Sequence, residues 1–405
     1  MSSQQALSAD QLYPGMLARV NNTLENVRDL EYYTNAYSSI VSADFDTLSS
    51  FETLPILRKS DFAELQKRSA PFGGLMAPDS RPEYLFVSPG PIHEPGFVTA
   101  EYWRIERVMQ SARFTADDIV HNTFSYHLTP GAWIFDSGAR TLGCSTIPAG
   151  NAAIELQLHA IKQYGASCYV GTPDFLKRLI EAYAEADMGS FPIKKALVSG
   201  GPFTPGLRVF FEQAGIRAIQ CYATAELGSI AYDVEGYKGM QIDKDVYVEI
   251  VDPTTGLGMP YGAVGEVVVT TLRKDYPLIR FGTGDLSAFV TDDKPDAPPA
   301  IVGWLGRSDQ AVKVRGMFVR PEQLELIRAR IDGLNKVRLI IDRSNERDTA
   351  VLFCGFSAQE LALAVDNKSA GIKEAVSSVC HLNIEISIVD DSTMSDDGKS
   401  IVDLR

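Results

Sequence analysis

Two carboxylates stand in segments of glycine and small residues, where a side chain can reach a bound ligand. Glu226 lies in YATAELG, directly after the predicted strand IRAIQC. Taken alone, it is either a solvated loop carboxylate or a ligand for Mg²⁺, a hard cation that prefers carboxylate oxygen. Asp285 lies in PLIRFGTGDLSAF. It is either the acceptor of an Asx turn or the acceptor of two hydrogen bonds from a vicinal diol such as ribose.

Two further segments carry charged residues next to glycine. GWLGRSDQAVKVRG contains Arg307 and Asp309, and SDDGKSIVDLR contains Lys399 close to the end of the chain. Their ordinary interpretations are a linker turn and a solvated terminal lysine. Each of these signals is weak alone, so their interpretation depends on the elements that position them.

Short apolar runs alternate with helical stretches from about Tyr84 to Phe289, which indicates a parallel sheet built from βαβ units. The predicted strands are EYLFVS, SCYVG, KKALVSGG, RAIQCYA and VGEVVVTTL, and the predicted helices are Ala152–Tyr164 and Thr172–Ala186. Glu226 then lies at the carboxyl end of a parallel strand, where open α/β sheets bind ligands. Val246–Leu272 adds a small antiparallel piece.

The segment TDDKPDAPPA (291–300) is the clearest break in composition and predicts a loop with a domain boundary close behind it. We therefore expect a large α/β domain over residues 1–306 and a small α+β domain over residues 307–405. Before the sheet, residues 1–70 are predicted to be helical and connecting, with Ser60 as the N-cap of a helix.

Composition restricts the class of protein. The 405 residues include 38 Lys and Arg against 52 Asp and Glu, a net charge of −14, which argues against sequence-independent nucleic-acid binding. The five cysteines are dispersed and indicate reduced thiols in a cytoplasmic protein. We find no signal peptide and no apolar run of about 18 residues, so we expect no membrane partner. A hydrophobic fraction of 45% is ordinary for a globular protein.

From about Leu54 to Arg405 the chain resembles the phenylacetate–CoA ligase family of the adenylate-forming superfamily. The segments that carry the resemblance follow the family order: LPILRKSDFAELQKRSAPFGGLMAP, YHLTPGAWIFDSGARTLGCSTIPAG, LVSGGPFTP, YATAELG, VGEVVVTTLRKDYPLIRFGTGDL, GRSDQAVKVRGMFVRPEQLE and DGKSIVDLR. The resemblance implies the adenylate-forming fold, a large α/β N-terminal domain with a small mobile α+β C-terminal domain.

The resemblance also implies a two-step reaction. A carboxylic acid attacks the α-phosphate of ATP with Mg²⁺, and an acyl-adenylate and pyrophosphate form. The small domain then swings about a hinge, and the thiol of coenzyme A displaces AMP. Coenzyme A is thus a substrate, although an amine or hydroxyl acceptor stays open. Relatives are often dimers through the small domain, so a homodimer is also implied.

The motifs assign roles to residues of this chain. The nucleotide-binding set implied by the resemblance consists of Ser199, Gly200, Gly201 and Pro202 at the adenine, Tyr222, Ala223 and Thr224 beside it, Asp285 at the ribose hydroxyls and Arg307 in support of that ribose. Glu226 is implied as the Mg²⁺ ligand and Asp309 as the hinge. Lys399 is implied as the mobile lysine that bridges the acid carboxylate and the α-phosphate, where it stabilises the charge of the reacting groups.

The segment that lines the acyl pocket in the family corresponds to SYHLTPG here. Tyr126, His127 and Gly131 are the pocket residues that this implies, with Trp133 close by. Their aromatic surface suits an aryl or arylacetic acid. In such a pocket, His127 would pair with a polar substituent or a second carboxylate of the acid. The alternative is that Tyr126 and Trp133 are core residues.

The chain differs from the family in its phosphate loop. The family has a Ser/Thr/Gly-rich stretch that ends in Gly-Lys-Pro, whereas this chain has FVSPGPIHEPGF (86–97). Its prolines have no N–H to donate, and Glu94 places a negative charge where polyphosphate binds in the family. Ser88, Gly90 and His93 remain as donors. In YATAE, Ala225 stands where the family has a hydroxyl residue.

Two functions therefore stay open. The first is a working acid–thiol ligase with a remodelled phosphate loop, and the second is a nucleotide- or adenylate-binding relative with weak or no adenylation, acting as a sensor or partner subunit. A dehydrogenase is not supported, because no G-x-G-x-x-G follows the first strand. G-x-S-x-G, H-E-x-x-H and the Walker lysine motif are also missing from the sequence.

Overall fold

The computed structural model describes residues 8–37, 44–88, 91–99, 102–201, 203–290, 298–308, 312–314, 317–319, 321–344, 347–380, 382–394 and 400–404. The chain divides into two compact units, the first of Met1–Thr283 with Ser287–Trp304 and the second of Gly284–Leu286 with Leu305–Arg405. The sequence places a domain boundary between residues 306 and 307. That assignment and the mobility of the small domain stay predictions.

The first unit begins with short helices. They are α1 (Ala9–Leu12), α2 (Met16–Val27), α3 (Glu31–Ala36), α4 (Leu48–Phe51) and α5 (Phe62–Arg68). The predicted cap at Ser60 is wrong: a 3-10 turn, Lys59–Asp61, follows the short strand β1 (Leu57–Arg58), and α5 starts after it with Asp61 at its N-cap position. This turn carries Lys59, which lies beside Glu226.

A large mixed sheet forms the centre of the first unit. Among the described residues its strands run in the order β14-β10-β9-β8-β7-β6-β4-β5. They are β4 (Ile119–Asn122), β5 (Ser145–Pro148), β6 (Cys168–Gly171), β7 (Lys195–Val198), β8 (Arg217–Thr224), β9 (Gly228–Asp233), β10 (Met240–Ile242) and β14 (Ala300–Ile301). Neighbours from β5 to β8 are parallel, and neighbours from β8 to β14 are antiparallel.

Helices connect the parallel strands, as the alternating pattern predicts. They are α7 (Gly131–Leu142), α8 (Ile154–Tyr164), α9 (Pro173–Glu185) and α10 (Pro205–Gln213), whereas α6 (Ile105–Ser111) precedes the first parallel strand. Helix α9 shows why the sequence forms them: Pro173 occupies its first turn, where a missing N–H costs nothing, and Leu176, Leu179 and Tyr183 repeat on one buried face.

A second sheet of the first unit has the strand order β1-β13-β12-β11. Its members are β1, β11 (Val246–Val251), β12 (Gly265–Thr271) and β13 (Phe281–Ser287). Strands β11 and β12 are antiparallel, as predicted for Val246–Leu272, and β1 pairs with β13 in parallel. A separate hairpin joins β2 (Tyr84–Ser88) to β3 (Ile92–Gly96).

The second unit is a small α+β structure with a hydrophobic core of its own. Its elements are β15 (Val312–Val314), β16 (Met317–Val319), α11 (Pro321–Arg330), β17 (Lys336–Ser344), β18 (Arg347–Phe356), α12 (Leu361–Asn367), α13 (Ser369–Cys380), β19 (Glu385–Asp390), the 3-10 helix Asp391–Thr393 and β20 (Ile401–Asp403). Its larger sheet has the order β19-β18-β17-β20. Within the described parts of both units, no helix is long and apolar enough to cross a membrane.

Candidate active site

The predicted site residues of the first unit follow the carboxyl ends of the parallel strands. Ser199–Gly201 comes after β7, the turn with Glu226 comes after β8, and the segment 123–131 comes after β4. The carboxyl ends of neighbouring parallel strands share one edge of a sheet, so these segments lie at the same edge. This is the edge at which open α/β sheets bind ligands.

The turn after β7 is held by one buried hydroxyl. Ser199 is 7% exposed, and its Oγ donates to the carbonyl of Cys221 on β8 at 2.9 Å. Gly200 has φ = 70°, which favours glycine, and a Cβ there would lie 3.4 Å from the ring of Phe124. The backbone of Gly200 and Gly201 is exposed, so a flat ligand can approach it closely.

Strand β8 carries the next predicted residues. The hydroxyl groups of Tyr222 and Thr283 lie 3.3 Å apart, and the ring of Tyr222 is buried. Ala223 and Thr224 are half-buried at the end of the strand. The hydroxyl of Thr224 accepts from the backbone N–H of Leu227 at 3.2 Å, so it closes the turn that contains Glu226.

Two arginines hold the backbone of this turn. The guanidinium of Arg104 donates to the carbonyls of Leu227 at 2.6 Å and Ser229 at 2.8 Å. Arg273 donates to the carbonyl of Glu226, and its guanidinium lies over the ring of Tyr102. The backbone position of Glu226 is therefore fixed by side chains from distant parts of the chain.

The carboxylate of Glu226 has one cationic partner among the described residues. Its side chain is 0% exposed, and Oε1 lies 2.7 Å from Nζ of Lys59, whose side chain is 30% exposed. Both carboxylate oxygens are buried and accept no hydrogen bond of good geometry. Carboxylate oxygen is the donor that Mg²⁺ prefers, and Glu226 has open acceptor capacity, so its chemistry fits Mg²⁺ when the Lys59 ammonium turns away.

Lys59 is a candidate site residue that the sequence motifs do not single out. It lies in LPILRKSDFAEL, which predicts only a turn and a helix. The phosphate loop lacks the lysine of the family, which indicates that another segment supplies the cation. The sequence does not show which segment that is. Only the folded chain brings the turn after β1 against the turn after β8.

The stretch that corresponds to the phosphate loop forms the hairpin β2–β3. Glu94 on β3 is 1% exposed, and its Oε2 accepts from Oγ of Ser88 at 2.9 Å. Its Oε1 is buried and has no hydrogen-bond partner among the described residues. Burial, and then the charge of Glu226, raise the pKa of Glu94 to about 8. The backbone N–H of His93 donates to Oε1 of Gln66, and the carbonyl of His93 accepts from Nε2 of the same side chain.

The second unit contains the predicted ribose pair. Nη1 of Arg307 lies 3.4 Å from Oδ1 of Asp285, and the backbones of the two residues form an antiparallel bridge. Gly284 has φ = 75°, and a Cβ there would lie 2.7 Å from Nη2 of Arg307. The glycine before Asp285 is thus required for the arginine to approach.

The predicted pocket residues lie in the segment after β4 and have different environments from one another. The hydroxyl of Tyr126 accepts from Nδ2 of Asn122 at 3.0 Å, and burial together with Asp136 raises its pKa well above the usual range. Trp133 donates Nε1–H to the carbonyl of Tyr126. Gly131 begins α7, whereas His127 is exposed. Pro202, Asp309 and Lys399 lie outside the described residues.

Comparison with known proteins shows which enzymes the chain is similar to. Residues 96–272 match the family model described as AMP-binding enzyme. Phenylacetate-coenzyme A ligase of Aromatoleum evansii is 27% identical over 356 residues, which cover 82% of this chain and 77% of that protein. The ligase of the same name from Pseudomonas putida is 28% identical over 345 residues, with 80% and 77% covered.

Solved structures agree on the fold. An open conformation of 2-hydroxyisobutyryl-CoA ligase in complex with 2-HIB-AMP and CoA superposes with a TM-score of 0.82, at 22% identity over 98% of this chain and 93% of that one. ATP-bound MatB from Rhodopseudomonas palustris has a TM-score of 0.54 at 15% identity, with 78% and 66% covered. The fold is therefore that of the adenylate-forming enzymes, which confirms the predicted class. Within them, the chain is similar to phenylacetate-coenzyme A ligases over most of its length, in line with the resemblance seen in the sequence.

Proposed function

We propose that this protein is an AMP-forming acid–thiol ligase that activates a carboxylic acid, of aromatic type, with ATP and transfers the acyl group to coenzyme A. The observation that carries the proposal is the buried Glu226–Lys59 pair at the carboxyl edge of the parallel strands. It sets a carboxylate and a cation where the anionic part of a nucleotide can be held. Similarity to phenylacetate-coenzyme A ligases supports the same reaction.

In the first step, different residues of the chain bind different parts of the nucleotide and the acid. The turn of Ser199–Gly201, with Pro202, packs against the adenine, and Tyr222, Ala223 and Thr224 line the adjoining strand. Asp285 accepts from the ribose hydroxyls, and Arg307 holds that carboxylate in place. Lys399 stabilises the negative charge that the acid and the α-phosphate bring together.

Mg²⁺ belongs to this proposal, with Glu226 as its ligand. When bound, the ion neutralises phosphate charge and makes pyrophosphate a better leaving group. Lys59 stands next to the same carboxylate, and its partly exposed side chain can turn its ammonium toward a phosphate oxygen. The cation that the family carries in its phosphate loop is then supplied by another segment of the chain.

The remaining assignments rest on separate observations. The second unit has a closed hydrophobic core of its own, which supports its movement as a body with Asp309 as the hinge. The five cysteines are free and buried, as expected in the reducing cytoplasm. A homodimer is supported by the family resemblance alone, and light scattering on the purified protein tests it. Tyr126, His127 and Gly131 remain the proposed lining of the acid pocket.

The test is acid-dependent ATP–pyrophosphate exchange with Mg²⁺, run with pools of aryl, arylacetic and aliphatic acids. Exchange above the no-acid blank, followed by thioester formation when coenzyme A is added, supports the ligase. The Glu226→Gln variant should lose exchange. Its matched control is Glu235→Gln, the same substitution at a carboxylate that is 65% exposed. Exchange that persists in Glu226→Gln contradicts the role of this carboxylate.

A second function is favoured by one observation, the buried Glu94 in the hairpin β2–β3. A nucleotide- or adenylate-binding relative with weak adenylation would tolerate a carboxyl group at this position. Tight AMP binding by calorimetry without any exchange would support this second function. Adenylation without transfer to coenzyme A would instead indicate an amine or hydroxyl acceptor.

A further inference from the structure

The hairpin β2–β3 contains an internal hydrogen bond that engages one of its few side-chain donors. Oγ of Ser88, the last residue of β2, donates to Oε2 of Glu94 on β3 at 2.9 Å. The ladder pairs Ser88 with Ile92 and Phe86 with Glu94, so the two side chains are held by regular strand pairing. A serine hydroxyl has one proton to donate. While Glu94 accepts it, that proton is not available to a ligand.

Glu94 also lies in the anionic part of the candidate site. The charge of Glu226 acts on its carboxyl group, and Glu226 itself pairs with Lys59. The charge of Lys59 also acts on the Glu94 carboxyl group, so a phosphate chain held by the Lys59 ammonium would lie within electrostatic reach of Glu94. No cation of the described residues lies within ion-pair distance of Glu94.

We propose that Glu94 is a specificity-determining residue, which captures the hydroxyl of Ser88 and thereby lowers the affinity for a nucleoside triphosphate relative to a nucleoside monophosphate. The inference rests on the proposed nucleotide site. A monophosphate does not extend to the hairpin, so its affinity is independent of the Ser88–Glu94 bond. A triphosphate does extend there, and it meets a hydroxyl that is already engaged.

The experiment is a thermodynamic cycle on the full chain. Isothermal calorimetry measures the affinities for AMP and for ATP with Mg²⁺, without an acid so that no turnover occurs. The proteins are the wild type, Glu94→Ala, Ser88→Ala and the double variant. In Glu94→Ala the freed hydroxyl should raise the affinity for ATP by about two- to tenfold, the effect of one neutral hydrogen bond. The affinity for AMP should stay constant, which also reports correct folding.

The cycle separates capture of the hydroxyl from a general effect of the mutation. Ser88→Ala should change ATP affinity little in the wild type, because its proton is engaged, and should remove the gain in the Glu94→Ala background. Glu94→Gln keeps an oxygen that can accept from Ser88, so its ATP-to-AMP affinity ratio should move less than that of Glu94→Ala. A larger shift in Glu94→Gln would assign the discrimination to charge and overturn the capture of the hydroxyl.

Two further outcomes are decisive. If AMP binds and Glu94→Ala leaves ATP affinity unchanged or weakens it, the inference is wrong while the proposed function stands. If the wild type binds neither AMP nor ATP, the proposed nucleotide site is wrong and the inference falls with it.

Discussion

Replacing Lys59 with methionine removes the ammonium group that lies 2.7 Å from Oε1 of Glu226. Methionine keeps much of the length of the side chain, so the packing around the 3-10 turn is largely retained. The carboxylate of Glu226, with 0% exposure, is then left without a cation among the described residues. Its oxygens are buried and accept no hydrogen bond of good geometry.

The size of the effect follows from the full burial of the Glu226 carboxylate and the partial exposure of Lys59. Breaking a fully buried pair costs about 3–5 kcal/mol. Lys59 is 30% exposed, so screening by water reduces the expected loss to about 1–3 kcal/mol. The converse variant, Glu226→Gln, should cost less, because the lysine can turn to water whereas the carboxylate cannot. In the double variant the unpaired charge is gone, and most of the loss should be recovered.

Thermal unfolding of the first unit, followed by calorimetry, measures the effect at fixed pH and salt. Lys59→Met should lower the melting temperature by a few degrees. The matched control is Lys67→Met, which removes a lysine whose pair with Glu64 is exposed on both sides and should leave the melting temperature unchanged. Equal melting temperatures for the wild type, Lys59→Met and the double variant would refute the idea that Glu226 is a buried anion held by Lys59.

Three more predictions concern other groups. Asp285→Ala should lower the affinities for AMP and ATP together by about ten- to a hundredfold, since a charge-assisted acceptor is lost. Calorimetry measures both affinities, and a loss for ATP alone would contradict the ribose assignment. Lys399→Ala should lower pyrophosphate exchange by about a hundredfold or more with AMP affinity near normal, and surviving exchange would refute its role. Because the pKa of Glu94 is raised to about 8, its contribution to stability is fully present below its unfolded pKa and decreases as pH rises toward 8. Glu94→Gln should therefore flatten the melting temperature between about pH 5 and 8, and an unchanged slope would argue against the raised pKa.

The fold was predictable where the chain repeats a clear pattern. The apolar run SCYVG became β6, and the amphipathic stretch after it became α9 with bounds close to those predicted. Both signals are local, because the pattern of apolar residues within one short segment indicates a buried strand or a helix with one buried face. The same locality explains the error at Ser60, where a 3-10 turn tied to a neighbouring strand replaced the predicted helix start.

The candidate site was predictable in part. The position of Glu226 after a parallel strand follows from the alternating pattern, because strand order fixes which edge a loop occupies. The ion pair with Lys59 could not be predicted, since it joins two turns that are distant in the chain. Nor does the sequence show that Glu94 is buried and bonded to Ser88; it shows only that a negative charge replaces the family's lysine.

In the proposed role of Lys59, the cation stands on the turn after β1 and not in a loop, which changes what holds it. Leu57 pairs with Phe281 and Arg58 with Gly282, and the guanidinium of Arg58 donates to the carbonyl of Pro253 at 3.0 Å. The backbone before Lys59 is therefore ordered when the sheet forms, and ligand binding has to order only the side chain. A lysine in a glycine-rich loop must order its backbone as well, at about 1–2 kcal/mol per residue. If Lys59 holds a phosphate as proposed, the entropy of ordering its backbone is lost in folding and not in binding, which would offset part of what the proline-rich hairpin loses in donors.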